Sequence, residues 1–368
     1  MAHGRVRAVT DLPTPSFAFD PDAPGACLAG VRPYRMGSYR LDTERPSGKF
    51  VVHNYGHGGA GISMSWGCAA RVKDLVRTFL AGSPQTEAAV LGAGVMGLTA
   101  ATRLLDLGLR VTIYADRLPR DTTSWRAGGQ WAVSIMEFAG KEQELKGIVK
   151  TAYTTFKQSI GNGYGVSEVP NFSIRRTPGL DTVMDLVPGL LPPREDLPGL
   201  PFQNHHDQPG HKYQTLLVEP PIFLARLEHD LRARGVTFVT RRFADKADVL
   251  TLTQQIIVNC TGLGAKTLWN DSKLLAVKGQ LAMLRPQPNL HYLYGRNGYL
   301  FPRADHVVIG GTTEMGVDDE VPSKTVCTGL VRHIAAAFGE AAPVPLPKIH
   351  IDHPDNERLV DPRLSITD

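Results

Sequence analysis

The sequence has no apolar run long enough to cross a membrane, and it has few cysteines. No stretch approaches the roughly 20 consecutive apolar residues of a transmembrane helix, and the opening MAHGRVRAV has no apolar core of a signal peptide. The cysteines, Cys27, Cys68, Cys260 and Cys327, are scattered without a CxxC pair. We therefore expect a cytoplasmic protein with reduced thiols and no membrane partner.

An excess of charge of one sign is also missing. The 40 basic and 36 acidic side chains are interspersed and give a net charge of +4, which does not indicate a nucleic-acid partner. The cluster His205, His206, Asp207 and His211 matches no standard metal-site spacing, so we expect a solvated loop and no metal. With 368 residues, 42% of them hydrophobic, the chain is long enough for two globular domains.

The strongest positive pattern is a strand–glycine–helix–strand unit. Ala88–Leu91 is a short apolar run, and GAGVMG follows at 92–97. A helical pattern then extends to Gly108, and a second apolar run, Val111–Tyr114, leads to Asp116. This order is typical of the first βαβ unit of a dinucleotide-binding fold.

The glycines of this unit have separate expected roles. The first makes the tight turn, the second lets a pyrophosphate approach the helix N-terminus, and the third lets helix and strand pack closely. Asp116 lies about 20 residues further on, where a carboxylate meets the adenosine ribose. The motif does not distinguish FAD from NAD. The cofactor contacts that it predicts are Gly92, Gly94, Val95, Met96, Gly97 and Asp116.

A second strand–glycine–helix unit directly precedes the first. Lys49–His53 is a candidate strand, Gly56 to Gly61 form a glycine-rich turn, and Ile62–Leu80 has helical periodicity. Residues 1–26 and 341–368 are expected to be irregular, and 136–165 to be helical. Further predicted elements are strands at Tyr213–Glu219, Val236–Thr240, Ile256–Cys260, Lys278–Leu284, Gly298–Pro302 and His306–Gly310, and helices at Pro221–Arg234 and Thr328–Phe338.

Six sequence segments resemble the D-amino-acid oxidase family. GVRPYR together with VVHNYGHGGAGISMSWGCA resembles the C-terminal quarter of that family. AAVLGAGVMGLTAATRLL, RVTIYADR and TTSWRAGGQW resemble its N-terminus, and IVNCTGLGA resembles its central FAD-binding segment. In the family the HNYGHGG block comes last. The sequence therefore looks like a circular permutant of that fold, with Ser83–Glu87 as the new junction.

The resemblance implies an α/β fold with two domains. One is a three-layer, Rossmann-like FAD-binding domain, and the other is a sheet-rich α+β substrate domain. The expected FAD-binding domain comprises 50–135 plus 221–266, and the expected substrate-binding domain comprises 1–49, 136–220 and 267–368. We expect FAD to be bound without a covalent link.

The resemblance also implies further cofactor contacts. The helix that starts near Ile62 would point its positive N-terminal end at the flavin and stabilise the reduced, anionic form. A nicotinamide enzyme has no flavin ring for this helix N-terminus to contact. The second glycine turn therefore argues against the alternative of an NAD-dependent dehydrogenase. The further expected cofactor-binding residues are His57, Gly58, Gly61, Ile62, Ser63, Arg117, Thr122, Thr123, Ser124, Ala127, Gly128, Gly129, Thr261 and Gly262.

Three residues match the catalytic positions of the family. Arg32, in GVRP, would clamp the substrate carboxylate through its guanidinium fork, and Arg35 is a weaker candidate. Gly59 would direct its carbonyl to the substrate amine. Tyr299, in NGYLFP, would hydrogen-bond the carboxylate.

The position of the family's second active-site tyrosine departs from the pattern. In this sequence that position is Gly295, with Tyr294 and Tyr292 close by. Either tyrosine could replace the missing hydroxyl, or the hydroxyl could be absent. The departure leaves the substrate open.

The reaction that the resemblance implies is hydride transfer from Cα to flavin N5. The imino acid would hydrolyse to a 2-oxo acid and ammonia, and oxygen would reoxidise the flavin to give hydrogen peroxide. D-amino acids are the first expectation. Glycine, an N-methyl amino acid such as sarcosine, and a specialised biosynthetic amine are the alternatives, as is a flavoprotein that does not turn over. The expected partners are thus a small amino acid or amine and oxygen, and a homodimer stays open.

Overall fold

The computed structural model describes residues 11–340, which form two β-sheets and eight α-helices. The helices are α1 (Gly61–Gly82), α2 (Val95–Leu105), α3 (Glu142–Gln158), α4 (Pro178–Leu186), α5 (Pro220–Ala233), α6 (Lys246–Leu250), α7 (Ala265–Leu268) and α8 (Lys324–Ala337). The strands are β1 (Cys27–Arg35), β2 (Thr43–Glu44), β3 (Phe50–His53), β4 (Glu87–Leu91), β5 (Arg110–Ala115), β6 (Val166–Ser173), β7 (Glu195–Leu197), β8 (Gly210–Val218), β9 (Thr237–Thr240), β10 (Ile256–Asn259), β11 (Leu274–Leu284), β12 (Leu293–Gly295), β13 (Tyr299–Pro302), β14 (Val307–Gly310) and β15 (Glu314–Met315).

The first sheet has six strands in the order β2-β3-β10-β4-β5-β9, and all pairs except β2–β3 are parallel. Strand β10 lies between β3 and β4, so that Val258 faces Val52 on one side and Val90 on the other. The two strand–glycine–helix units of the sequence therefore contribute to one sheet and flank a shared central strand.

The faces of this sheet alternate along each strand, as a two-sided parallel sheet requires. Val52, Val90 and Val258 pack in the cluster that contains the buried residues of α1 and α2. Their chain neighbours Val51, Ala89, Leu91 and Ile257 pack on the opposite face against Phe243, Val249 and Leu268, around α6 and α7. The predicted three-layer α/β architecture is confirmed.

The second sheet has nine strands, with β1-β11-β14-β13-β12-β6-β8-β7 as its main path and β15 paired to β11. Strands β1 and β11 run antiparallel over nine residue pairs, from Cys27 opposite Ala282 to Arg35 opposite Leu274. Helix α8 covers one face, where Cys327, Leu330 and Ile334 share a core with sheet residues that include Ala282 and Ile309. This sheet forms the wall that carries Arg32 and Tyr299.

Several elements differ from the sequence predictions. The helix expected over 136–165 is limited to α3, and Met136–Lys141 form a loop that contacts β1 and its following turn. Helices α4, α6 and α7 and the strands β1, β2, β12 and β15 were not predicted. Residues 11–26 contain no helix or strand, as expected, and the predicted irregular tail 341–368 lies outside the described residues. The proposed division into two domains stays a prediction.

Within residues 11–340, no helix is long and apolar enough to cross a membrane. The same range contains no group of histidine, cysteine and carboxylate side chains that could hold a metal ion. All four cysteines are free thiols.

Candidate active site

A cavity of about 1880 Å³ lies where the strand ends of the six-stranded sheet meet β1, β11 and β13 of the other sheet. Ordinary small-molecule sites measure roughly 300–1,000 Å³, so this cavity has room for a dinucleotide and a substrate together. It brings together residues from the start, the middle and the end of the described chain. Apart from Gly97 and the weaker candidates Arg35, Tyr292 and Tyr294, all of the predicted site residues line it.

The turn between β4 and α2 forms one end of the cavity. Gly92 has a φ of +101°, and a Cβ there would lie 2.5 Å from the carbonyl oxygen of Cys260. Gly94 precedes the first turn of α2, and Val95 N–H donates to Ser124 Oγ at 3.1 Å. Gly97 is buried against Gly92, where a Cβ would overlap the Gly92 carbonyl. Its position therefore matches the predicted close packing of helix and strand and not a direct cofactor contact.

The second glycine turn, between β3 and α1, faces the same cavity. Gly58 has a φ of +52°, and a Cβ there would overlap the carbonyl of Ile135. Helix α1 begins at Gly61, so its N-terminal N–H groups and the positive end of its dipole point into the cavity. Ile62 and Ser63 follow in its first turn, and both line the cavity.

His57 lies in this turn as a buried, neutral imidazole. Its ring stacks on Tyr39 with centroids 5.3 Å apart, and its Nε2 is 3.5 Å from Cys68 Sγ. Burial lowers the pKa of His57 to about 3. The side chain is therefore uncharged at neutral pH, which agrees with a contact role and not with acid–base chemistry.

Hydrogen bonds between side-chain hydroxyls and backbone groups hold the predicted hydroxyl-rich segment 122–124 in place. Thr122 Oγ1 donates to the Pro119 carbonyl at 2.7 Å, and Thr123 Oγ1 donates to the Val31 carbonyl at 3.0 Å. The first bond closes a local turn, and the second ties the segment to β1. Ser124 accepts from the start of α2. The three side chains thus fix the shape of the cavity wall between the two glycine turns.

The remaining predicted cofactor residues lie along the same wall. Ser63 Oγ accepts from Ala132 N at 3.0 Å, and Thr261 Oγ1 donates to Asn259 Oδ1 at 2.7 Å. Arg117 forms an ion pair of 2.8 Å with Glu320. The other members that line the cavity are Asp116, Ala127, Gly128, Gly129 and Gly262.

These features fit a bound flavin dinucleotide. Two glycine turns and two helix N-termini open into one cavity. Each turn contains a glycine at which an added Cβ would collide with backbone atoms. The α2 end suits a pyrophosphate. The α1 end suits a ring system that carries negative charge. A nicotinamide dinucleotide would leave the second turn without a ligand.

Arg32 extends from β1 into the cavity without a carboxylate partner. Its Nη1 donates to the Thr312 carbonyl at 3.1 Å and to the Lys278 carbonyl at 3.4 Å. No ion pair involves Arg32 in the part of the chain that the structure describes. Desolvation lowers the pKa of Arg32, but a guanidinium remains charged at neutral pH. A half-buried cation held only by carbonyls suits an anionic ligand.

Gly279 makes room for this guanidinium. Arg32 is opposite Val277 on β11, so Gly279 is its diagonal neighbour on the same face. A Cβ on Gly279 would overlap the guanidinium, at 2.6 Å from Cζ. Sequence reasoning did not find Gly279, because it requires the β1–β11 pairing.

Tyr299 lies on the same wall, stacked on Phe301 with centroids 4.1 Å apart. The backbone around it is glycine: Cβ atoms on Gly311 and Gly128 would each lie 3.0 Å from its Oη. Burial raises the pKa of Tyr299, so the hydroxyl is protonated at neutral pH. No hydrogen bond from Oη to another residue occurs within 11–340, which leaves this donor available to a ligand.

The other candidates for these roles lie elsewhere. Tyr292 Oη donates to the Pro13 carbonyl at 2.6 Å, and Tyr294 Oη is 3.3 Å from His205 Nε2; both rings belong to the core beneath α8. Neither lines the cavity, so neither replaces the second tyrosine, whose position is Gly295. Arg35 is paired with Asp271 at 2.8 Å and also lies outside the cavity lining.

Tyr34 and Glu137 line the cavity but were not predicted. Tyr34 is two residues after Arg32 and therefore points to the same face of β1. Its hydroxyl donates to Glu137 Oε1, and Glu137 Oε2 accepts from Gly37 N at 2.6 Å. The two-residue spacing from Arg32 would have indicated Tyr34 if β1 had been predicted as a strand. No local pattern marks Glu137, which was expected to lie in a helix.

Comparisons with known proteins agree with this geometry. A family model described as FAD dependent oxidoreductase matches residues 87–353, starting at β4. D-aspartate oxidase of Homo sapiens is 30% identical over 239 residues, which cover 62% of this chain and 69% of that protein. D-amino-acid oxidase of Streptomyces coelicolor is 29% identical over 267 residues, which cover 70% and 79%.

The fold is also similar to solved structures of two glycine oxidases. That of Geobacillus kaustophilus has a TM-score of 0.53 at 18% identity and covers 71% of this chain and 81% of the other. That of Bacillus cereus has a TM-score of 0.50 at 17% identity and covers 71% and 83%. The family match excludes the nicotinamide alternative and identifies FAD as the cofactor. The chain belongs to the D-amino-acid oxidase family of FAD-dependent oxidoreductases.

Proposed function

We propose that this protein oxidises the Cα–N bond of D-amino acids. The substrate would lose a hydride from Cα and a proton from nitrogen, and water would hydrolyse the imino acid to a 2-oxo acid and ammonia. Oxygen would take up the electrons and two protons to give hydrogen peroxide. FAD, when bound, supplies the two-electron acceptor. The observation that carries the proposal is the guanidinium of Arg32, which faces the cavity without a carboxylate partner among residues 11–340.

Arg32 and Tyr299 together bind the α-carboxylate in this proposal. A guanidinium donates two parallel hydrogen bonds to a carboxylate, and the phenol adds a third donor. The carbonyls of Thr312 and Lys278 hold Arg32 from one side. They fix its orientation before substrate arrives, which reduces the entropy lost on binding.

Gly59 binds the substrate amine through its carbonyl. Gly59 N donates to the Ile135 carbonyl at 3.1 Å, and Ser134 and Ile135 pack directly over this glycine. The turn is therefore held rigidly beside the N-terminus of α1. A lone pair on the amine can then assist departure of hydride from Cα. This chemistry needs no general base, which agrees with the neutral, buried state of His57.

The preference for D-amino acids is supported by the two sequence relatives, named D-aspartate oxidase and D-amino-acid oxidase. The glycine oxidase likeness is at 18% identity and supports the fold alone. Glycine and N-methylglycine therefore belong in the test of the proposal as competing substrates.

The test is the Arg32→Met variant, assayed for peroxide and ammonia with a panel of D- and L-amino acids, glycine and N-methylglycine. Truncating one partner of a buried charge pair costs about 2–5 kcal/mol, which corresponds to a loss of kcat/KM of roughly 30-fold or more. FAD should remain bound. Arg77→Met is the control, because Arg77 lies on the exposed surface of α1. Unchanged kcat/KM in Arg32→Met would refute the carboxylate clamp.

A further inference from the structure

Glu137 lines the same cavity as Arg32 and Gly59. Tyr34, its hydrogen-bond partner, forms an isolated β-bridge with His57, which places this end of β1 beside the second glycine turn. Glu137 itself follows Ile135, whose carbonyl accepts from Gly59 N. The carboxylate and the expected site of the substrate amine therefore share one end of the cavity.

Glu137 carries a charge that no cation neutralises. Its two oxygens accept from the Tyr34 hydroxyl and from Gly37 N, and it forms no ion pair with a lysine, arginine or histidine in the range 11–340. A carboxylate has about four acceptor sites, so two bonds leave capacity for further donors. The acidic Glu320 of the same cavity differs, because it is paired with Arg117 and Arg126.

Strand geometry separates Arg32 from Tyr34, the residue that contacts Glu137. Arg32 and Tyr34 lie on one face of β1, so their Cα atoms are about 7 Å apart at roughly 3.3 Å per residue. Glu137 lies beyond the Tyr34 hydroxyl. A ligand whose carboxylate binds Arg32 would therefore need a long side chain to reach Glu137.

We propose that Glu137 selects substrates with a long cationic side chain, namely the basic D-amino acids lysine, ornithine and arginine. This inference rests on the function proposed above. The α-carboxylate binds Arg32 and the distal ammonium or guanidinium donates to Glu137, which forms a charge-assisted hydrogen bond. The same carboxylate repels a dicarboxylic substrate such as D-aspartate or D-glutamate.

A purely structural role of Glu137 makes a different prediction. In that role it would only hold Tyr34 and Gly37 together, and its charge would be irrelevant to substrate choice. Glu137→Gln separates the two roles, because an amide oxygen still accepts a hydrogen bond while the negative charge is lost. Tyr34→Phe is the matched control, because it removes one contact of Glu137 and keeps the charge.

The first experiment compares D-lysine with D-norleucine, which has the same carbon chain without the ammonium. Wild-type holoenzyme should favour D-lysine in kcat/KM by about ten-fold or more, and the ratio should fall towards one in Glu137→Gln. In Tyr34→Phe the preference should persist. A wild-type ratio at or below one, or a ratio that Glu137→Gln does not change, would overturn the inference.

The second experiment does not depend on turnover. The affinities of the holoenzyme for 6-aminohexanoate and hexanoate are measured by calorimetry, since neither compound has an α-amine to oxidise. The amino compound should bind about ten-fold more tightly to the wild type, and this difference should be lost in Glu137→Gln. Equal affinities would contradict the inference. If neutral D-amino acids are oxidised best, the proposed function stands and the role of Glu137 fails. If no amino acid reduces the flavin, the proposed function fails, while the two affinities still report on Glu137.

Discussion

Arg32 and Tyr299 both depend on glycines that leave space for them. The guanidinium crosses over Gly279, and the phenol lies against Gly310, where a Cβ would overlap the ring. In both places the backbone of a neighbouring strand forms the floor beneath a functional side chain. A methyl group at either glycine would change where the side chain points without touching the cofactor turns.

Gly279→Ala should therefore weaken catalysis by displacing Arg32. A misplacement of about 1 Å can cost on the order of 100-fold in rate, so we expect kcat/KM to fall by about that factor while FAD stays bound. Steady-state kinetics and the absorbance of the bound flavin measure the two effects.

The control for this change is Gly30→Ala. Gly30 faces Gly279 across the strand pair, and the nearest atom to an added Cβ is 3.4 Å away. Its loss of activity should be much smaller. Equal losses in the two variants would show that alanine disturbs the strand pair itself and not the guanidinium.

At this scale the sequence predicted those residues whose position is given by a local motif. Arg32, Tyr299 and the glycines of the two turns all lie in recognisable blocks. Gly279 and Glu137 do not, because their roles arise from contacts with residues more than 90 positions away in the chain. Arg35 was a weaker candidate on spacing alone. Its ion pair with Asp271 depends on a partner that the local sequence does not show.

The helix α1 is the element that links the two glycine units. Its N-terminus faces the cavity, its C-terminus leads through the short link 83–86 to β4, and α3 crosses it at Gly67. A Cβ on Gly67 would overlap the carbonyl of Ile148 and lie 2.8 Å from Ile148 Cα. The two helix backbones are in direct contact at this point.

Gly67→Ala should destabilise the protein, because α1 and α3 must move apart to admit the methyl group. Overpacking of this kind costs about 1–3 kcal/mol. Chemical or thermal unfolding measures the change in the free energy of unfolding.

Gly147→Ala in α3 provides a control with the opposite sign. Gly147 is exposed and nothing lies within 4 Å of an added Cβ, so alanine should stabilise the helix by up to about 1 kcal/mol. Both variants exchange glycine for alanine within the same helix pair. If Gly67→Ala were as stable as Gly147→Ala, the close helix contact would be wrong.

Elements with strong periodicity were predicted, and those held by tertiary contacts were not. The buried face of α1 repeats at helical spacing, which the sequence shows directly. Strand β1 lacks a clear alternation, since its pattern of burial is irregular. The sequence predicts a helix that includes Met136–Lys141, yet the hydrogen bonds of Glu137 with Tyr34 and Gly37 hold this loop in another conformation.

At the scale of the whole molecule, the two ends of the described chain lie close together. Phe17 packs against Phe338 with ring centroids 5.6 Å apart, and Leu12 N donates to the Pro201 carbonyl in the same region. Nearby termini are what a circularly permuted fold requires. The family match that begins at residue 87 agrees with a permuted order, which remains a hypothesis.

Reopening the chain at the α1–β4 link tests this hypothesis. A protein with the order 87–368 followed by 1–86 should fold and bind FAD, because the cut falls in a surface link and the described parts of the chain near residues 17 and 338 lie close together. The flavin absorbance of the purified protein and its thermal unfolding are the measurements. A matched permutant opened within β10, the central strand of the six-stranded sheet, should not fold. Loss of FAD binding in both permutants would count against the permuted origin.

FAD should stabilise the whole molecule, because its cavity is lined by residues from both sheets. A ligand at 100 times its dissociation constant adds about 2.7 kcal/mol. Removing FAD should therefore lower Tm by several degrees, and adding FAD back should restore it. NAD at the same concentration should leave Tm unchanged. An equal effect of NAD would contradict the assignment of the second glycine turn to a flavin.

The sequence blocks indicated this architecture, but they did not show how the two sheets meet. The cavity depends on β1 pairing with β11 and on the loop 122–129 contacting β13, and both contacts join distant parts of the chain. The substrate preference depends on the residues that meet where the two sheets come together. It therefore could not be predicted from the motifs.

Anaerobic mixing of the holoenzyme with matched D- and L-amino acids tests most directly whether this protein is a D-amino-acid oxidase. The visible absorbance of the oxidised flavin is followed without oxygen, so that only electron transfer from the substrate can bleach it. We predict bleaching by D-amino acids and not by their L-forms, and strongly reduced bleaching in Arg32→Met. Bleaching by glycine or N-methylglycine alone, or by no compound of the panel, would contradict the proposed function.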